Sequence, residues 1–325
     1  MKQNIINSSR KGWVDALRGL AILLVMYGHC VKNMPAFFVF TSPVKMPLFF
    51  AISGYVFSVD GVGWYKFVNQ IVRKIIMPWF ILGLLPPVLM IPFKGVGNVL
   101  DMFLNMLSGK ELWFMPCFII GEIMHYLIRR YGKKILWIII VSFLCFVLGI
   151  VLHRHGWLNY AMFNRALAVQ PFFLIGYLFR TYESKLTNLS WCWIRAAFIV
   201  YIGLCFLSMV IFPGQTLNVN ANRYYNIPYC LLLIFLGCFI LFIAGAKADF
   251  HSMIMSFIGQ NTLVLYIWHI LVIAVLVKGL SLLGWTMPVN WWTALICVIW
   301  ACLICGILAI LLNRYLPFVV GKKRK

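Results

Sequence analysis

The chain has 325 residues, of which 63% are hydrophobic and only 11% are charged, whereas about one quarter of a soluble domain is usually charged. A water-soluble globule of this composition would expose large apolar patches, so a soluble fold is excluded and the solvent is lipid. The net charge of +21 indicates basic loops that face anionic lipid head groups, and we expect no nucleic-acid partner.

Apolar runs long enough to cross a bilayer follow one another along the chain from Gly19 onward. One crossing needs about 20 apolar residues, and no small-residue cleavage pattern follows the first run, so it is a span rather than a signal peptide. We predict an all-α, polytopic membrane domain of about ten helices at 13–316, between an N-terminal tail, 1–12, and a basic tail, 317–325. The predicted spans are 15–34, 45–60, 77–93, 112–129, 135–152, 165–181, 192–212, 226–246, 257–277 and 290–313.

The distribution of Lys and Arg predicts the orientation of these spans. Basic residues at one set of span ends, such as Arg129, Arg130, Lys133 and Lys134, outnumber those in the opposite loops by about two to one. The positive-inside rule places that set in the cytoplasm, together with both termini, as an even number of spans requires.

The first predicted span contains three ionisable residues, Asp15, Arg18 and His29. Ionisable groups inside a membrane are costly and usually functional. A helix turns about 100° and rises about 1.5 Å per residue, so Arg18 and His29 lie within about 20° of one face and about 16 Å apart along the axis. Asp15 lies three residues before Arg18, within side-chain reach on the same face. The structural alternative is a snorkelling arginine and a histidine at the head groups.

These residue types suit a reaction with an anionic reactant that reaches into the membrane. Arginine stays charged and binds phosphate or carboxylate through a forked geometry. Histidine titrates near neutral pH and can act as a base or a nucleophile. We therefore predict that Arg18 binds an anionic group and that His29 is catalytic.

A basic pair, Arg73 and Lys74, precedes Pro78 at a predicted cytoplasmic span end. Phosphate groups could dock there, and anchoring of lipid head groups explains the pair equally well.

Two further pairs lie three residues apart on later spans, and each pair therefore shares a helix face. Glu122 and His125 form the first, where the carboxylate needs a partner such as His125 or a cation on another helix. Tyr266 and His269 form the second, at a depth that would let them line one cavity with His29. Histidines bonded within the bundle are the structural alternative.

No metal site is predicted. The ten cysteines lie mostly in apolar runs and lack metal-finger spacing. His153 and His155 flank Arg154 in a loop, with no further ligand nearby.

Several of these motifs, in their order and spacing, resemble the membrane acyltransferase-3 family from about residue 13 to the tenth span. The Met-Pro-Leu-Phe-Phe segment is most similar to the fucose 4-O-acetylase-like branch. The motifs are Asp15-x-x-Arg18-Gly with His29, Met46–Tyr55 with its Ser53, the basic pair before Pro78-Trp79, Leu112–Pro116 with its Trp113, and Tyr266-x-x-His269.

The resemblance implies an O-acyltransferase of a bacterial plasma membrane that takes acetyl from cytoplasmic acetyl-CoA and delivers it across the membrane to a hydroxyl of a surface carbohydrate or lipid-linked glycan precursor. It implies Arg18, His29 and His269 as the catalytic set. We further expect Arg18, Arg73 and Lys74 to contact the acyl-CoA. Some members carry a fused extracytoplasmic hydrolase-like domain, which this sequence does not show. We therefore expect direct transfer, or completion by a separate extracytoplasmic partner protein.

The remaining roles and the alternatives stay open at this stage. Asp15, Ser53, Trp113, Glu122 and Tyr266 are assigned to substrate contact or support. His29 fits either a general base or an acylated intermediate. A transporter with a path through buried His and Glu is the alternative function, although the two halves of the sequence show no internal repeat. A purely structural membrane protein would leave the shared face of Asp15, Arg18 and His29 unexplained.

Overall fold

The computed structural model describes residues 11–31, 34–59, 61–89, 96–250 and 252–322, and across these ranges the chain is helical without a β-sheet. This confirms the all-α class. The α-helices are α1 (Gly12–Cys30), α2 (Pro35–Lys45), α3 (Pro47–Val56), α4 (Trp64–Ile71), α5 (Met77–Leu89), α6 (Val96–Ser108), α7 (Phe114–Tyr131), α8 (Ile135–Arg154), α9 (Phe163–Ala168), α10 (Gln170–Thr187), α11 (Trp191–Ile211), α12 (Ile227–Lys247), α13 (Met253–Gln260), α14 (Thr262–Leu282) and α15 (Trp291–Tyr315).

Within the described ranges, 8 helical segments are long and apolar enough to cross a membrane, or 9 if the bent pair at Tyr160–Ala168 and Gln170–Thr187 is a single span. The predicted second and third spans start too late. The helical segments run instead over Pro35–Val56 and Trp64–Leu89. Proline explains the first difference, because Pro35 and Pro47 occupy helix N-termini, where the missing N–H costs nothing.

The predicted span at 112–129 corresponds to α7, which is not among these apolar segments. Its 18 residues include Glu122, Arg129 and Arg130, and three charges are more than a simple lipid-facing span usually carries. The count of about ten crossings therefore remains a prediction.

Glycines bring two pairs of helices into close contact. A Cβ atom on Gly259 of α13 would lie 1.8 Å from the backbone oxygen of Asp15 in α1. A Cβ atom on Gly176 of α10 would lie 1.8 Å from the backbone oxygen of Ala51 in α3. Small residues allow this backbone approach in membrane bundles, and the first contact places α13 directly against the part of α1 that carries Asp15.

The start of α1 is fixed by Lys11. Its Nζ donates hydrogen bonds to Glu183 Oε1 and to the Tyr55 hydroxyl, both at 2.7 Å, and that hydroxyl donates to Glu183 Oε2 at 2.9 Å. Burial works to lower the pKa of Lys11, but the hydrogen bonds from Lys11 to Glu183 and Tyr55 outweigh it, and the pKa is raised. Lys11 is therefore charged at neutral pH and ties α1 to α3 and α10.

The residues after α15 fold back onto the bundle. A 3₁₀ turn at Pro317–Val320 packs against α5 and α15, and Pro317 and Val319 are buried. Gly321 follows it with a φ of +71° and lies against the backbone of Lys74, in the π-helical turn Val72–Ile76 that precedes α5. Part of the predicted tail at 317–325 thus contributes to the packed structure, and 323–325 lie outside the described residues.

Candidate active site

Two cavities lie end to end along α1. The arginine cavity, of about 600 Å³, is lined by Arg18 of α1, and the histidine cavity, of about 880 Å³, is lined by His29 of the same helix. Among the described residues, three side chains line both cavities and form the partition between them: Val25, Met46 and Tyr266. Arg18 and His29, which the sequence places about 16 Å apart along the helix axis, therefore line two different cavities.

Arg18 is held in the arginine cavity by a polar chain. Arg18 Nη1 donates to Asp15 Oδ1 at 3.4 Å, and Gln260 Nε2 donates to Asp15 Oδ2 at 3.2 Å. Asp15 is only 2% exposed, so its charge is compensated by these contacts rather than by water. The predicted contact between Asp15 and Arg18 is therefore present. The close crossing of α13 over α1 at Gly259 brings Gln260 to Asp15.

Glu122 of α7 also lines the arginine cavity. Ser53 Oγ donates to Glu122 Oε1 at 2.9 Å, while Oε2 is buried without a hydrogen-bond partner in the described part of the chain. Arg18 and Lys74 are close enough to interact with this carboxylate through their charges. Glu122 therefore has a hydroxyl and cations of other helices as partners, which was one of the two arrangements expected from the sequence.

His125, the other expected partner of Glu122, makes no hydrogen bond to it. It is fully buried and stacks on Phe173 with ring centroids 5.1 Å apart. Neither ring nitrogen has a hydrogen-bond partner among the described residues. His125 lines neither cavity and is a packing residue of α7.

Only one residue of the predicted basic pair faces a cavity. Lys74 lines the arginine cavity, whereas the exposed Arg73 does not. Neighbouring side chains point about 100° apart around a helix, so two adjacent residues rarely face the same space. Sequence reasoning could not select between them without knowing how the π-helical turn is rotated.

The two predicted histidines meet in the histidine cavity. Their ring centroids are 5.2 Å apart, although α1 and α14 are far apart in the sequence. His29 is exposed, whereas His269 is 1% exposed and its Nδ1 donates to Leu265 O at 2.8 Å. A carbonyl oxygen can only accept, so neutral His269 carries its lone pair on Nε2, which has no hydrogen-bond partner within the described ranges.

Tyr266 connects the two chambers. Its hydroxyl oxygen accepts a hydrogen bond from the Phe114 backbone N–H at 3.3 Å, which leaves the hydroxyl hydrogen for an acceptor in a cavity. Trp113, adjacent to that amide, lines the histidine cavity. Both residues therefore line the histidine cavity.

Three cations that line the cavities were not selected from the sequence: Lys45, Lys110 and Lys322. Lys45 is the first residue of the predicted second span, 45–60. In the structure α2 begins at Pro35 and carries Lys45 into the histidine cavity, where its Nζ lies 4.4 Å from the ring centroid of Phe38. Pro35 at the helix start was the available signal. Lys322 lines the arginine cavity through the folded-back C-terminal segment, for which the sequence gives no signal.

Cations line the first cavity, and a histidine pair lies in the second. An acyltransferase domain model matches residues 11–311. The fold and this match define a multi-pass membrane acyltransferase, and the transporter alternative is not favoured. The chain belongs to the acyltransferase-3 family. No curated protein and no solved structure matches the chain.

Proposed function

We propose that the protein transfers an acetyl group from cytoplasmic acetyl-CoA to a hydroxyl of a surface carbohydrate or lipid-linked glycan precursor, in a bacterial plasma membrane. One observation carries the proposal: a cation-lined cavity is separated by a partition of three side chains from a cavity that contains a histidine pair. This arrangement suits a donor that carries its charges at one end and its reactive group at the other.

The donor occupies the arginine cavity. Arg18 and Lys74 meet the phosphate groups of CoA, because guanidinium and ammonium groups bind phosphate strongly in a partly buried site. The neutral pantetheine arm follows the apolar wall toward the partition. The thioester then lies beside Tyr266, within reach of His29.

The acceptor occupies the histidine cavity. Its volume of about 880 Å³ falls within the usual range of small-molecule sites, roughly 300–1,000 Å³. Lys45, Asn218 and Asn220 supply polar contacts around the cavity, as recognition of a hydroxyl-rich ligand requires. The fucose 4-O-acetylase-like motif supports a sugar hydroxyl as the acceptor.

The reaction is a direct acyl transfer. The acceptor oxygen forms a bond to the thioester carbonyl carbon, and the carbon–sulfur bond breaks. The hydroxyl proton passes to His29 and from there to the departing sulfur, so that CoA leaves as its thiol. The Tyr266 hydroxyl donates to the carbonyl oxygen as negative charge develops there, and His269 Nε2 accepts a hydrogen bond from the acceptor or from His29.

Membrane vesicles with radiolabelled acetyl-CoA test the proposal. Label should enter the glycan fraction with the native protein, and His29→Ala should lower the rate at least 10²-fold, as loss of a general base does. His155→Ala is the matched control, since His155 stacks on Trp157 and lines neither cavity. Arg18→Ala should weaken donor use about tenfold or more through loss of a charged hydrogen bond.

Equal transfer by the native protein and His29→Ala would remove His29 from the chemistry. Label that stays on the protein itself, and is lost in His29→Ala, would replace direct transfer by an acylated histidine.

A further inference from the structure

The folded-back C-terminal segment forms part of the wall of the arginine cavity. Val320, Gly321 and Lys322 all line this cavity. The segment is fixed by the buried residues Pro317 and Val319. It therefore reaches the cavity as an ordered element of the bundle.

Gly321 allows the segment to reach this position. Its φ of +71° lies in the left-handed region that favours glycine, and a Cβ atom there would lie 2.8 Å from the Cα of Lys74. The segment thus lies against the π-helical turn that presents Lys74 to the cavity. Such turns in helices occur frequently at functional sites.

Lys322 is oriented by Asn313 of α15, which is itself bonded to Asn261 at the break between α13 and α14. Its Nζ donates to Asn313 Oδ1 at 2.6 Å, and Asn313 Nδ2 donates to Asn261 Oδ1 at 2.8 Å. Asn261 directly follows Gln260, which binds Asp15. Lys322 therefore lies in the same region of the cavity wall as the contacts that hold Arg18.

The charge of the cavity favours an anionic ligand. Among the described residues, its lining includes three cations, Arg18, Lys74 and Lys322, and one carboxylate, Glu122. Cations collected in a partly enclosed site repel one another unless an anion is bound between them. Asp15 offsets Arg18 and Glu122 offsets a second cation, so one positive charge remains for a ligand that carries phosphate.

We propose that Lys322 is a third phosphate-binding residue of the donor site, and that the segment Pro317–Lys322 completes this site. The inference rests on the proposed function, because it takes the donor to be an acyl-CoA. It adds a site element beyond residue 311, where the match to the family model ends. In this site Lys322 takes the place that sequence reasoning gave to Arg73.

Equilibrium binding of radiolabelled CoA to the purified full chain tests the role of Lys322. CoA without an acyl group keeps turnover out of the measurement. Lys322→Gln is expected to weaken binding about tenfold, as removal of one charged hydrogen bond does. Lys322→Arg should bind within a few-fold of the native protein, because it keeps the charge.

Lys278→Gln is the matched control, because Lys278 belongs to α14 and lines neither cavity. It should bind CoA as the native protein does. Thermal unfolding of each variant verifies the fold, and Gly321→Ala provides a second test, since its Cβ atom displaces the segment without removing a charge. Gly321→Ala should also weaken CoA binding.

The outcomes separate the two proposals. If Lys322→Gln and Gly321→Ala both bind CoA within twofold of the native affinity, the role of the segment is overturned and the proposed function stays intact. A native protein that binds no CoA would overturn the donor assignment itself, and this inference with it.

Discussion

The two histidines of the histidine cavity differ in their exposure. The Nδ1 of His269 is fixed to Leu265 O at 2.8 Å, and the side chain is 1% exposed. His29 is exposed and faces open cavity. An exposed ring beside a buried ring that is held in one tautomer suits a base and a fixed hydrogen-bond acceptor.

Tyr266→Phe isolates the contribution of one hydroxyl. The phenylalanine ring keeps the partition filled but removes the donor to the developing oxyanion, so we expect kcat to fall about 10–100-fold with little change in the affinity for CoA. Tyr315→Phe, at an exposed tyrosine outside both cavities, is the control. Steady-state rates and CoA binding measure the two effects, and a fall in CoA affinity alone would place Tyr266 in donor binding.

Residue spacing predicted which residues share a face of α1, but not which residue of the basic pair faces the cavity. Asp15, Arg18 and His29 share a face as expected, because α1 is a regular helix over its whole length. The choice of Lys74 over Arg73 depended on the rotation of a π-helical turn, and periodicity gives no access to that. The similar depth of His29 and His269 in the membrane was the only sequence indication that they meet. In the structure α1 packs against α14 and brings the two rings into contact.

At the scale of elements, glycine crossings set the position of the site. Backbone contact between α1 and α13 at Gly259 brings Gln260 to Asp15. Sequence analysis placed α13 and α14 in one predicted span, 257–277, whereas the structure breaks the chain at Asn261. The break allows α13 to lie against α1 while α14 carries Tyr266 and His269 to the partition and the histidine cavity.

Gly259→Ala should separate α1 from α13. A methyl group 1.8 Å from the Asp15 oxygen forces a backbone shift, and overpacking of this kind costs about 1–3 kcal/mol. Thermal unfolding in detergent measures the loss. Gly203→Ala is the control, since a Cβ atom there meets open space; equal melting temperatures for both variants would contradict the close crossing.

At the scale of the whole molecule, both ends of the described chain lie on one side of the bundle. The first half of α1 and Lys322 line the same cavity. The excess of basic residues at the corresponding loops predicts that this side is cytoplasmic, which is also where acetyl-CoA would enter.

Reporter fusions at both termini test this orientation. A fluorescent protein that matures only in the cytoplasm should fluoresce at either end, and alkaline phosphatase, which is active only outside the cytoplasm, should be inactive there. A fusion to the loop after α14, at Leu283, should show the opposite pattern. Phosphatase activity at one terminus would require an odd number of crossings.

The partition between the two cavities bears on whether the protein leaks protons across the membrane. Two water-accessible chambers approach each other there, and Val25, Met46 and Tyr266 are the described side chains between them. Liposomes that contain the native protein should hold a proton gradient as well as empty liposomes do, whereas shortening Val25 and Met46 together to alanine should make them leak. Under the proposed function the acyl group would pass while bound covalently to a carrier, and the protein would export a chemical group without opening a pore.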